Sequence, residues 1–261
     1  MSSPIVSVLM TSFNRENFIE LAVESVLSSN LNDFELIIVD DGSVDKTVEI
    51  ARSYQTKDSR VKVYCNDVNL GDYPNRNKAA SYANGKYIKY LDSDDIMYPH
   101  TLNVMVDSME QFPEAGLGLS GKGKKDMPHP YLLTPDQAYR EHFGGFGHLD
   151  RAPGSAIIRR DVFEKVGGFT GKRMIGDNEL WLILARYYPV VIFPPDLYWA
   201  RTHAGQESKS DYAKKYASLR KSIFIDALNH PDCPLPVLER KNIIKNLSKV
   251  NYKRKLINLF R

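Results

Sequence analysis

A regular alternation of strand-like and helix-like segments dominates the first 112 residues. Four short apolar runs are each followed by a segment with apolar residues at helical spacing. Alternating strands and helices of these lengths predict an α/β fold, in which helices cover both faces of a parallel sheet. The predicted strands are PIVSVLMTS, FELIIVDDGS, RVKVYC and KYIKYL, and the predicted helices are RENFIELAVESVLSS, VDKTVEIARSYQ, YPNRNKAASYAN and PHTLNVMVDSMEQF.

Two of these helices carry start signals. Asp45 or Ser43 is the predicted N-cap of the second helix, because either side chain can accept a hydrogen bond from a free backbone N–H. The third helix is predicted to be entered through Pro74, because proline is tolerated in a first helical turn.

The composition argues against several other classes of protein. With 261 residues, 43% of them hydrophobic, the chain can bury a core as one domain, or as one domain with an appendage. The net charge of +3 is too small to predict a nucleic-acid partner. Cys65 and Cys233 cannot form a disulfide framework or a zinc cage, which favours a reducing compartment. No basic segment precedes the first apolar run and no run is long enough to span a membrane, so we expect a soluble, cytoplasmic protein.

Polar and acidic side chains follow three of the four predicted strands, at the point where each strand ends. In open parallel sheets, ligands bind outside the carboxyl ends of the strands, so these groups are expected on one rim. Asp and Ser are also ordinary loop and cap residues, but three such groups on one edge indicate a binding site. The groups are Thr11, Ser12 and Asn14, then Asp40, Asp41 and Ser43, then Asp92, Asp94 and Asp95.

The third group places Asp92, Asp94 and Asp95 within four positions. Carboxylates this close raise one another's pKa unless a cation or a hydrogen-bond donor compensates. Mg²⁺ or Mn²⁺ compensates well, and such ions are commonly held by one or two carboxylates together with substrate phosphates. The expected ligand is therefore a diphosphate bound with a divalent cation.

Seven segments, in order, make the chain resemble the inverting glycosyltransferases of family 2. The resemblance covers about residues 4 to 208. It implies the Rossmann-like GT-A fold with a mostly parallel central sheet, a UDP- or dTDP-linked sugar donor, and an acceptor hydroxyl on a glycan or a lipid-linked sugar. The segments are VSVLMTSFNR, ELIIVDDGSVDKT, NLGDYPNRNKAA, YIKYLDSDD, GSAIIRRDVFEKVGGF, GDNELWLILAR and YWARTHAGQES.

By this resemblance, the loop after the first strand contacts the nucleotide. Ser12 and Phe13 would pack on the base, with Thr11, Asn14 and Arg15 beside them. The ordinary alternative is a strand end followed by a helix cap, which Asn14 can supply without any ligand.

Two further positions are expected near the nucleotide. One of Asp40 and Asp41 would accept the N3–H of a uracil or thymine ring, and the sequence leaves open which one. Arg76 resembles the arginine that family members place near the base and the phosphates. Its ordinary alternative is a solvated charge on a helix.

Asp92-Ser93-Asp94 resembles the DxD motif of the family. The resemblance makes Asp94 the main ligand of Mn²⁺ or Mg²⁺, makes Asp92 a contact of the ribose or of metal-bound water, and places Ser93 in the nucleotide-sugar site. Asp95 would support these carboxylates. His203, in a late Arg-x-His segment, would face the metal or the diphosphate, although a lone histidine is often structural.

The segment GDNELWLILAR resembles the helix that carries the general base in this family. Family members begin this helix with an acidic pair, most often Glu-Asp, of which the Asp is the base. Aligned on ELWL, Asp177 takes the position of that Asp, and Gly176 stands where the Glu would be. Asp177 is therefore the predicted base, with Glu179 as the alternative carboxylate. The simpler function for Asp177 is to cap the helix.

The resemblance divides the chain into a catalytic domain over residues 1–209 and a helical extension over 210–261. Within the domain, about residues 1–95 would bind the nucleotide-sugar and about 96–209 the acceptor. Aromatic side chains between about 120 and 153 either line the acceptor site or pack beneath a loop. These side chains are Tyr131, His142, Phe143, Phe146 and His148.

The extension ends in a basic amphipathic segment, VLERKNIIKNLSKVNYKRKLINLFR, with eight Lys or Arg residues and one acidic residue, Glu239. Such a segment can lie on an anionic membrane, which would place the protein at the inner face of the cell membrane. Alternatively, its apolar stripe packs on the catalytic domain or on a second subunit.

Two other classes of function compete with a transferase. A phospho-acceptor receiver domain carries a similar acidic cluster, but its acidic pair follows the first strand, whereas here a full β-α unit precedes Asp40 and Asp41. A nucleotide-sugar-binding protein of the same fold without turnover is opposed only by the intact set of Asp92, Asp94 and Asp177.

Overall fold

The computed structural model describes residues 3–121, 123, 127–206 and 209–249. The strands are β1 Val6–Ser12, β2 Phe34–Asp40, β3 Val61–Cys65, β4 Tyr87–Tyr90, β5 Ile96–Met97, β6 Leu117–Ser120, β7 Tyr131–Leu133, β8 Ala156–Arg159, β9 Val190–Phe193 and β10 Tyr198–Trp199. The α-helices are α1 Ile19–Leu27, α2 Thr47–Lys57, α3 Asp72–Ala80, α4 Thr101–Glu110, α5 Pro135–Glu141, α6 Arg160–Val166, α7 Gly176–Tyr187, α8 Tyr216–Asn229 and α9 Val237–Lys249.

Most of the described strands form one sheet, in the order β3-β2-β1-β4-β8-β6-β9-β7. The neighbours β3, β2, β1 and β4 are parallel, and β6 is parallel to β9. β8 runs antiparallel between β4 and β6, and β7 runs antiparallel beside β9. β5 and β10 form a separate antiparallel pair. This α/β architecture with a mostly parallel central sheet confirms the predicted fold class.

The second strand shows why the sheet is covered on both faces. All seven residues of β2 are buried. Its alternate side chains enter different apolar clusters: Ile37 and Val39 pack in the cluster that contains Tyr73 of α3, and Leu36 and Ile38 pack in the cluster that contains Val23 of α1. Central strands of parallel sheets are apolar on both faces for this reason.

The parallel half of the sheet brings the ends of β1, β2 and β4 to one edge. Ser12 at the end of β1 is in register with Asp40 at the end of β2. Leu9 is in register with Tyr90, which precedes Asp92 by two residues. The three polar groups that follow these strands therefore share one rim, as the alternation of strands and helices predicts.

Two predicted helix starts differ from the structure. Lys46 occupies the N-cap position of α2, and Asp45, one residue earlier, accepts a hydrogen bond from the Thr47 N–H at 3.0 Å. Ser43 instead donates to Asp40 at 2.6 Å. The third helix begins at Asp72 rather than at Pro74. Pro74 therefore lies in the first turn, where a proline is tolerated because its missing N–H leaves no hydrogen bond unmade.

The C-terminal helices pack on the rest of the molecule. Phe224 and Leu228 of α8 are buried in the same apolar cluster as Trp181 of α7, and Ile243 and Ile244 of α9 pack against that cluster. None of the helices in the described residues is both long and apolar enough to cross a bilayer. Four of the eight basic residues on which the predicted membrane contact rests come after 249 and lie outside the described residues.

Candidate active site

The acidic group after β4 forms a compact cluster of oxygen atoms. One carboxylate oxygen from each of Asp92, Asp94 and Asp95 lies within 4.8 Å of the others. Burial, and then the charge of Asp92, raise the pKa of Asp95 to about 7. The backbone N–H of Arg201 donates to Asp95 at 2.9 Å, which partly offsets the cost of a buried carboxylate. Burial is thus the main cause of the raised Asp95 pKa, and the neighbouring carboxylates predicted from the spacing add to it.

Arg15 and His203 meet at a single oxygen of Asp94. The Arg15 Nε lies 3.2 Å from Asp94 Oδ2, and the His203 Nε2 lies 2.8 Å from the same atom. The Gly205 N–H donates to His203 Nδ1 at 3.2 Å, which leaves Nε2 as the donor to Asp94. The structure thus places both predicted residues at the acidic group, although they are 79 and 109 positions from Asp94 in the chain.

The chemistry of this group suits a divalent cation. Its donors are hard carboxylate oxygens, and among the described residues it is the only group of three or more acidic, histidine or cysteine side chains close enough to share an ion. Asp94 Oδ1 accepts no hydrogen bond from a described residue, so it remains available to an ion. Asp92, Asp94 and Asp95 therefore fit Mn²⁺ or Mg²⁺.

Arg76 is buried between two carboxylates. The residue is 5% exposed, its Nη2 donates to Asp92 Oδ1 at 2.7 Å, and its Nε donates to Asp72 Oδ1 at 2.7 Å. The buried Nη1 has no hydrogen-bond partner in the described part of the chain. The alternative that Arg76 is a solvated helix charge is therefore wrong, and one of its buried donors is left without a partner in the described residues.

Asp40 is fully engaged by its own loop and by Ser12 at the end of β1. Its Oδ1 accepts hydrogen bonds from the backbone N–H groups of Gly42 and Ser43 at 3.1 and 2.7 Å. Its Oδ2 accepts from the hydroxyls of Ser12 and Ser43 at 2.9 and 2.6 Å. A carboxylate offers about four lone-pair sites, so Asp40 has no acceptor capacity left for a ligand.

Asp41 retains acceptor capacity. Its Oδ1 accepts from the Asn66 amide and from the Leu70 N–H, at 2.8 and 2.9 Å. Its Oδ2 accepts only from the Gly71 N–H, at 2.9 Å, among the described residues. Gly71 has φ of 86°, a left-handed conformation that glycine adopts readily. The loop before α3 thus fixes Asp41 and leaves one oxygen able to accept a further hydrogen bond.

The loop after β1 carries an exposed aromatic ring, Phe13, directly after Ser12, which donates to Asp40. Phe13 is 44% exposed, and Thr11 is partly exposed at the end of β1. Asn14 does not cap α1, since it accepts from the Val44 N–H at 3.0 Å and its own N–H donates to Ser43 at 2.8 Å. Asn14 therefore joins the loops after β1 and β2 and holds Phe13 at the rim.

Asp177 lies in the first turn of α7, next to α3. Its Oδ1 accepts from the Tyr73 hydroxyl at 3.2 Å and from the Asn178 N–H at 2.8 Å, whereas no described residue donates to Oδ2. Burial raises the pKa of Asp177 to about 6. Ile175 is the N-cap of this helix, so the alternative that Asp177 is its N-cap is wrong. A partly desolvated carboxylate with one free oxygen suits a general base.

Tyr73 explains why glycine precedes Asp177. A Cβ atom at Gly176 would lie 2.9 Å from the Tyr73 ring, closer than packing allows. Glu179 is already occupied, because it accepts from the Thr170 hydroxyl and pairs with Lys172 Nζ at 2.6 Å. Tyr73 thus fills the space where an acidic neighbour would stand and contacts the Asp177 carboxylate instead.

Sequence reasoning missed Lys89, a fully buried lysine on β4. Its Nζ donates to the carbonyl oxygens of Tyr90 and Gly154, at 2.6 and 2.5 Å. Burial lowers its pKa to about 7, although the charges of Asp92 and Asp95 oppose this shift. A lysine inside an apolar strand, immediately before an acidic group, was the signal that could have identified it.

The aromatic segment between about 120 and 153 is mostly internal. Tyr131, His142 and His148 are buried, and Phe143 packs against the core. Phe146 is 52% exposed. Packing beneath a loop is therefore the correct alternative for the three buried side chains.

Comparison with protein families gives one match to a large part of the chain. Residues 7–167 match the model described as glycosyl transferase family 2. A curated relative from Escherichia coli, the UDP-Glc:alpha-D-GlcNAc-diphosphoundecaprenol beta-1,3-glucosyltransferase WfgD, is 36% identical over 109 residues, which are 42% of this chain and 42% of that protein. The matched region spans between 39% and 58% of the first four curated relatives.

Solved structures share the fold. TarS residues 1–349 from S. aureus, crystallised with UDP-GlcNAc, superposes with a TM-score of 0.74 at 19% identity, over 95% of this chain and 72% of that one. The mannosyltransferase PcManGT from Pyrobaculum calidifontis, in complex with GDP-Man and Mn²⁺, superposes with a TM-score of 0.67 at 17% identity, over 95% of this chain and 74% of that one.

Proposed function

Since the chain belongs to glycosyl transferase family 2, we propose that it transfers a sugar from a nucleotide-diphospho-sugar to an acceptor hydroxyl, in the synthesis of a polysaccharide or glycoconjugate. One observation carries the proposal. Helix α3 contacts both halves of the site, because Arg76 binds Asp92 and Tyr73, three positions earlier, binds Asp177. Residues three apart lie on the same helix face, so the acidic group and the base are fixed relative to one another.

The donor is proposed to be a UDP- or dTDP-sugar. WfgD is named for a UDP-Glc donor, and TarS was crystallised with UDP-GlcNAc. In this chain Asp41, rather than Asp40, is the proposed acceptor for the N3–H of the base, because only Asp41 has an oxygen with spare acceptor capacity. The exposed Phe13 ring would pack on the base, with Thr11, Ser12, Asn14 and Arg15 completing the loop.

The proposed cofactor is Mn²⁺ or Mg²⁺, held by Asp94 and Asp92 with His203 beside them. PcManGT was solved with Mn²⁺, which supports this assignment. When bound, the ion would supply positive charge that neutralises the leaving diphosphate. Arg76 Nη1, a buried donor without a hydrogen-bond partner among the described residues, is proposed to reach the same phosphates.

Asp177 is the proposed general base. Its free Oδ2 would take the proton of the acceptor hydroxyl, while Tyr73 and the Asn178 N–H hold Oδ1. The acceptor oxygen would attack the anomeric carbon as the bond from that carbon to the diphosphate oxygen breaks, so the nucleoside diphosphate leaves in a single displacement with inversion of configuration. A pKa of about 6 leaves Asp177 mostly ionised at neutral pH yet basic enough to accept the proton.

Assaying UDP release tests the proposal against a protein that binds nucleotide-sugars without turnover. The protein would be incubated with a panel of UDP- and dTDP-sugars, Mn²⁺ and candidate glycans or lipid-linked sugars. Acceptor-dependent UDP or dTDP release supports transfer. Saturable donor binding without any release across the panel would favour the binding protein.

Tyr73→Phe is expected to move the acid limb of the pH–kcat profile to higher pH. The Tyr73 hydroxyl stabilises the ionised form of Asp177, so its removal raises the Asp177 pKa above about 6. Loss of a hydrogen bond to a charged group corresponds to a shift of about one pH unit. The phenyl ring still packs on Gly176, so the fold should persist. Tyr82→Phe is the matched control, because it removes the hydroxyl of a tyrosine whose ring stacks on Tyr64. If the pH–kcat profile of Tyr73→Phe is unchanged, the Tyr73 hydroxyl does not stabilise the ionised form of Asp177.

The base preference provides a separate prediction. Thermal shifts with Mn²⁺ are expected to be larger for UDP and dTDP than for GDP and CDP. Guanine presents a differently shaped edge to the pocket. Cytosine lacks N3–H and would leave a carboxylate unpaired, at a loss of about 1–3 kcal/mol. Asp41→Asn is expected to raise the shift for CDP relative to UDP, because an amide can donate to the cytosine N3. Asp40→Asn, a matched control, should leave that ratio unchanged. Equal thermal shifts for all four nucleotides would disprove the assignment of Asp41 as the acceptor of the base N3–H.

A further inference from the structure

A cavity of about 480 Å³ is lined by residues that come after Asp95 in the chain. None of the roles proposed above involves this cavity. Two of its lining side chains are exposed aromatics, with Tyr98 at 37% and Trp199 at 48%. Aromatic faces exposed in a concave surface suit sugar rings, which present apolar C–H faces. Its polar lining includes Ser120, Asp150, Arg151, Ser155 and Asp196.

Tyr198 joins this cavity to the reaction centre. Its ring lines the cavity and lies 5.6 Å from Lys89 Nζ, the buried ammonium next to the acidic group. Its strand, β10, pairs with β5, which begins directly after Asp95. The nearby charges of Asp95, Asp92 and Asp177 add to burial in raising the Tyr198 pKa. Tyr198 therefore connects the wall of the cavity to buried Lys89 and to the strand that follows Asp95.

Arg151 is the unusual residue of the lining. Its guanidinium forms no ion pair or hydrogen bond with any described residue, and its Nε is buried without a partner. Burial lowers its pKa, whereas Tyr198 and Asp196 act in the opposite direction. Its backbone carbonyl accepts from Trp181 Nε1 at 2.7 Å, which fixes the loop that carries it. A partly desolvated cation with a rigid backbone and no partner is a ready-made anion contact.

The two carboxylates of the lining do not cancel this charge. Asp150 is paired with Arg220, whose Nε lies 2.8 Å from Asp150 Oδ1, and Asn178 also donates to that oxygen at 3.2 Å. Asp196 is exposed, so its charge is screened by solvent. Arg151 is the cation of the described lining, and neither of these carboxylates forms an ion pair with it.

Taking the transferase function as its premise, we propose that this cavity is the acceptor subsite, in which Arg151 binds an anionic group of the acceptor and Trp199 packs on an acceptor sugar ring. A planar guanidinium binds phosphate and carboxylate in the same two-pronged way. Two kinds of acceptor carry such a group beside a sugar: a lipid diphosphate-linked sugar and an acidic glycan.

Tryptophan fluorescence tests the site without requiring turnover. The chain has two tryptophans, and Trp181 is fully buried whereas Trp199 is exposed, so ligand-induced quenching reports on Trp199. The metal-free protein would be titrated in EDTA with glucose 1-phosphate, glucuronic acid and glucose. At least one anionic sugar is expected to bind about tenfold or more tightly than glucose. Preference for the phosphate indicates a diphosphate-linked acceptor, and preference for the carboxylate indicates an acidic glycan.

Two variants localise the binding. Arg151→Gln is expected to remove the advantage of the anionic sugar, whereas Arg52→Gln, the same change at an exposed position of α2, should retain it. Trp199→Phe should abolish the fluorescence change while calorimetry still detects binding. Equal affinity for glucose and the anionic sugars, or an Arg151→Gln protein that behaves as wild type, would overturn the proposal. Failure of the transferase function itself would appear separately, as the absence of UDP release in the donor assay.

Discussion

Asp177→Asn is expected to lower kcat for sugar transfer by about 10²–10⁴-fold, the usual contribution of a general base. Asparagine keeps the size of the side chain and can still accept from Tyr73 and the Asn178 N–H, but its amide cannot take a proton from the acceptor. Binding of UDP with Mn²⁺ should change little, because the described contacts of Asp177 are with Tyr73 and Asn178 rather than with the acidic group. Steady-state kinetics and thermal shifts with UDP measure the two effects.

The stability of this variant separates catalysis from folding. The folded-state pKa of Asp177 is about 6, above the ordinary value of 3.8, so the ionised carboxylate destabilises the fold once the pH rises through this range. Asp177→Asn should therefore have a Tm at pH 7.5 equal to or above that of the wild type. Glu179→Gln, on the same helical turn, is the matched control and should retain transfer. Substantial transfer by Asp177→Asn would disprove the base assignment, and a product with retained configuration would disprove the single displacement.

Asp94→Ala is expected to abolish the metal-dependent part of donor binding and to lower kcat/KM by about 10²–10³-fold, since a bound ion contributes several kcal/mol to the transition state. The change removes the carboxylate that Arg15 and His203 share and the oxygen proposed for the ion. Mn²⁺ binding followed by electron paramagnetic resonance measures the ion directly.

The control for this variant is Asp107→Ala, which removes an exposed carboxylate from α4. It should bind Mn²⁺ and UDP as the wild type does. If Asp94→Ala retained wild-type Mn²⁺ affinity, the ion would have to be held elsewhere, and the acidic group would have only a structural function.

The sequence alone was enough to predict the fold class and the position of the rim. Strand and helix periodicity is local, so β1 to β4 and the helices between them are visible in runs such as FELIIVDDGS. Parallel strands point their carboxyl ends to one edge, so the residues after each strand must lie near one another. The sequence could thus place Ser12, Asp40 and Asp92 on one rim without knowledge of any side-chain contact.

The partners of those residues required the tertiary structure. Periodicity does not report which side chains meet across the fold. It therefore could not separate Asp40, whose oxygens are filled by its own loop and by Ser12, from Asp41, which is held by the loop before α3. Arg76 was equally open to a solvated position, because its burial depends on how α3 packs beside Asp92.

Contacts between residues far apart in the chain show the same limit. Tyr73 and Asp177 are 104 positions apart, and their contact exists because α3 and α7 pack together at a glycine that leaves room for the ring. The sequence determined the elements and the edge at which their polar ends gather, because those follow from local periodicity and strand direction. Only the tertiary structure decided which carboxylates are engaged, which keep a free oxygen and which cation stays unpaired, because burial and hydrogen bonding depend on neighbours distant in the chain.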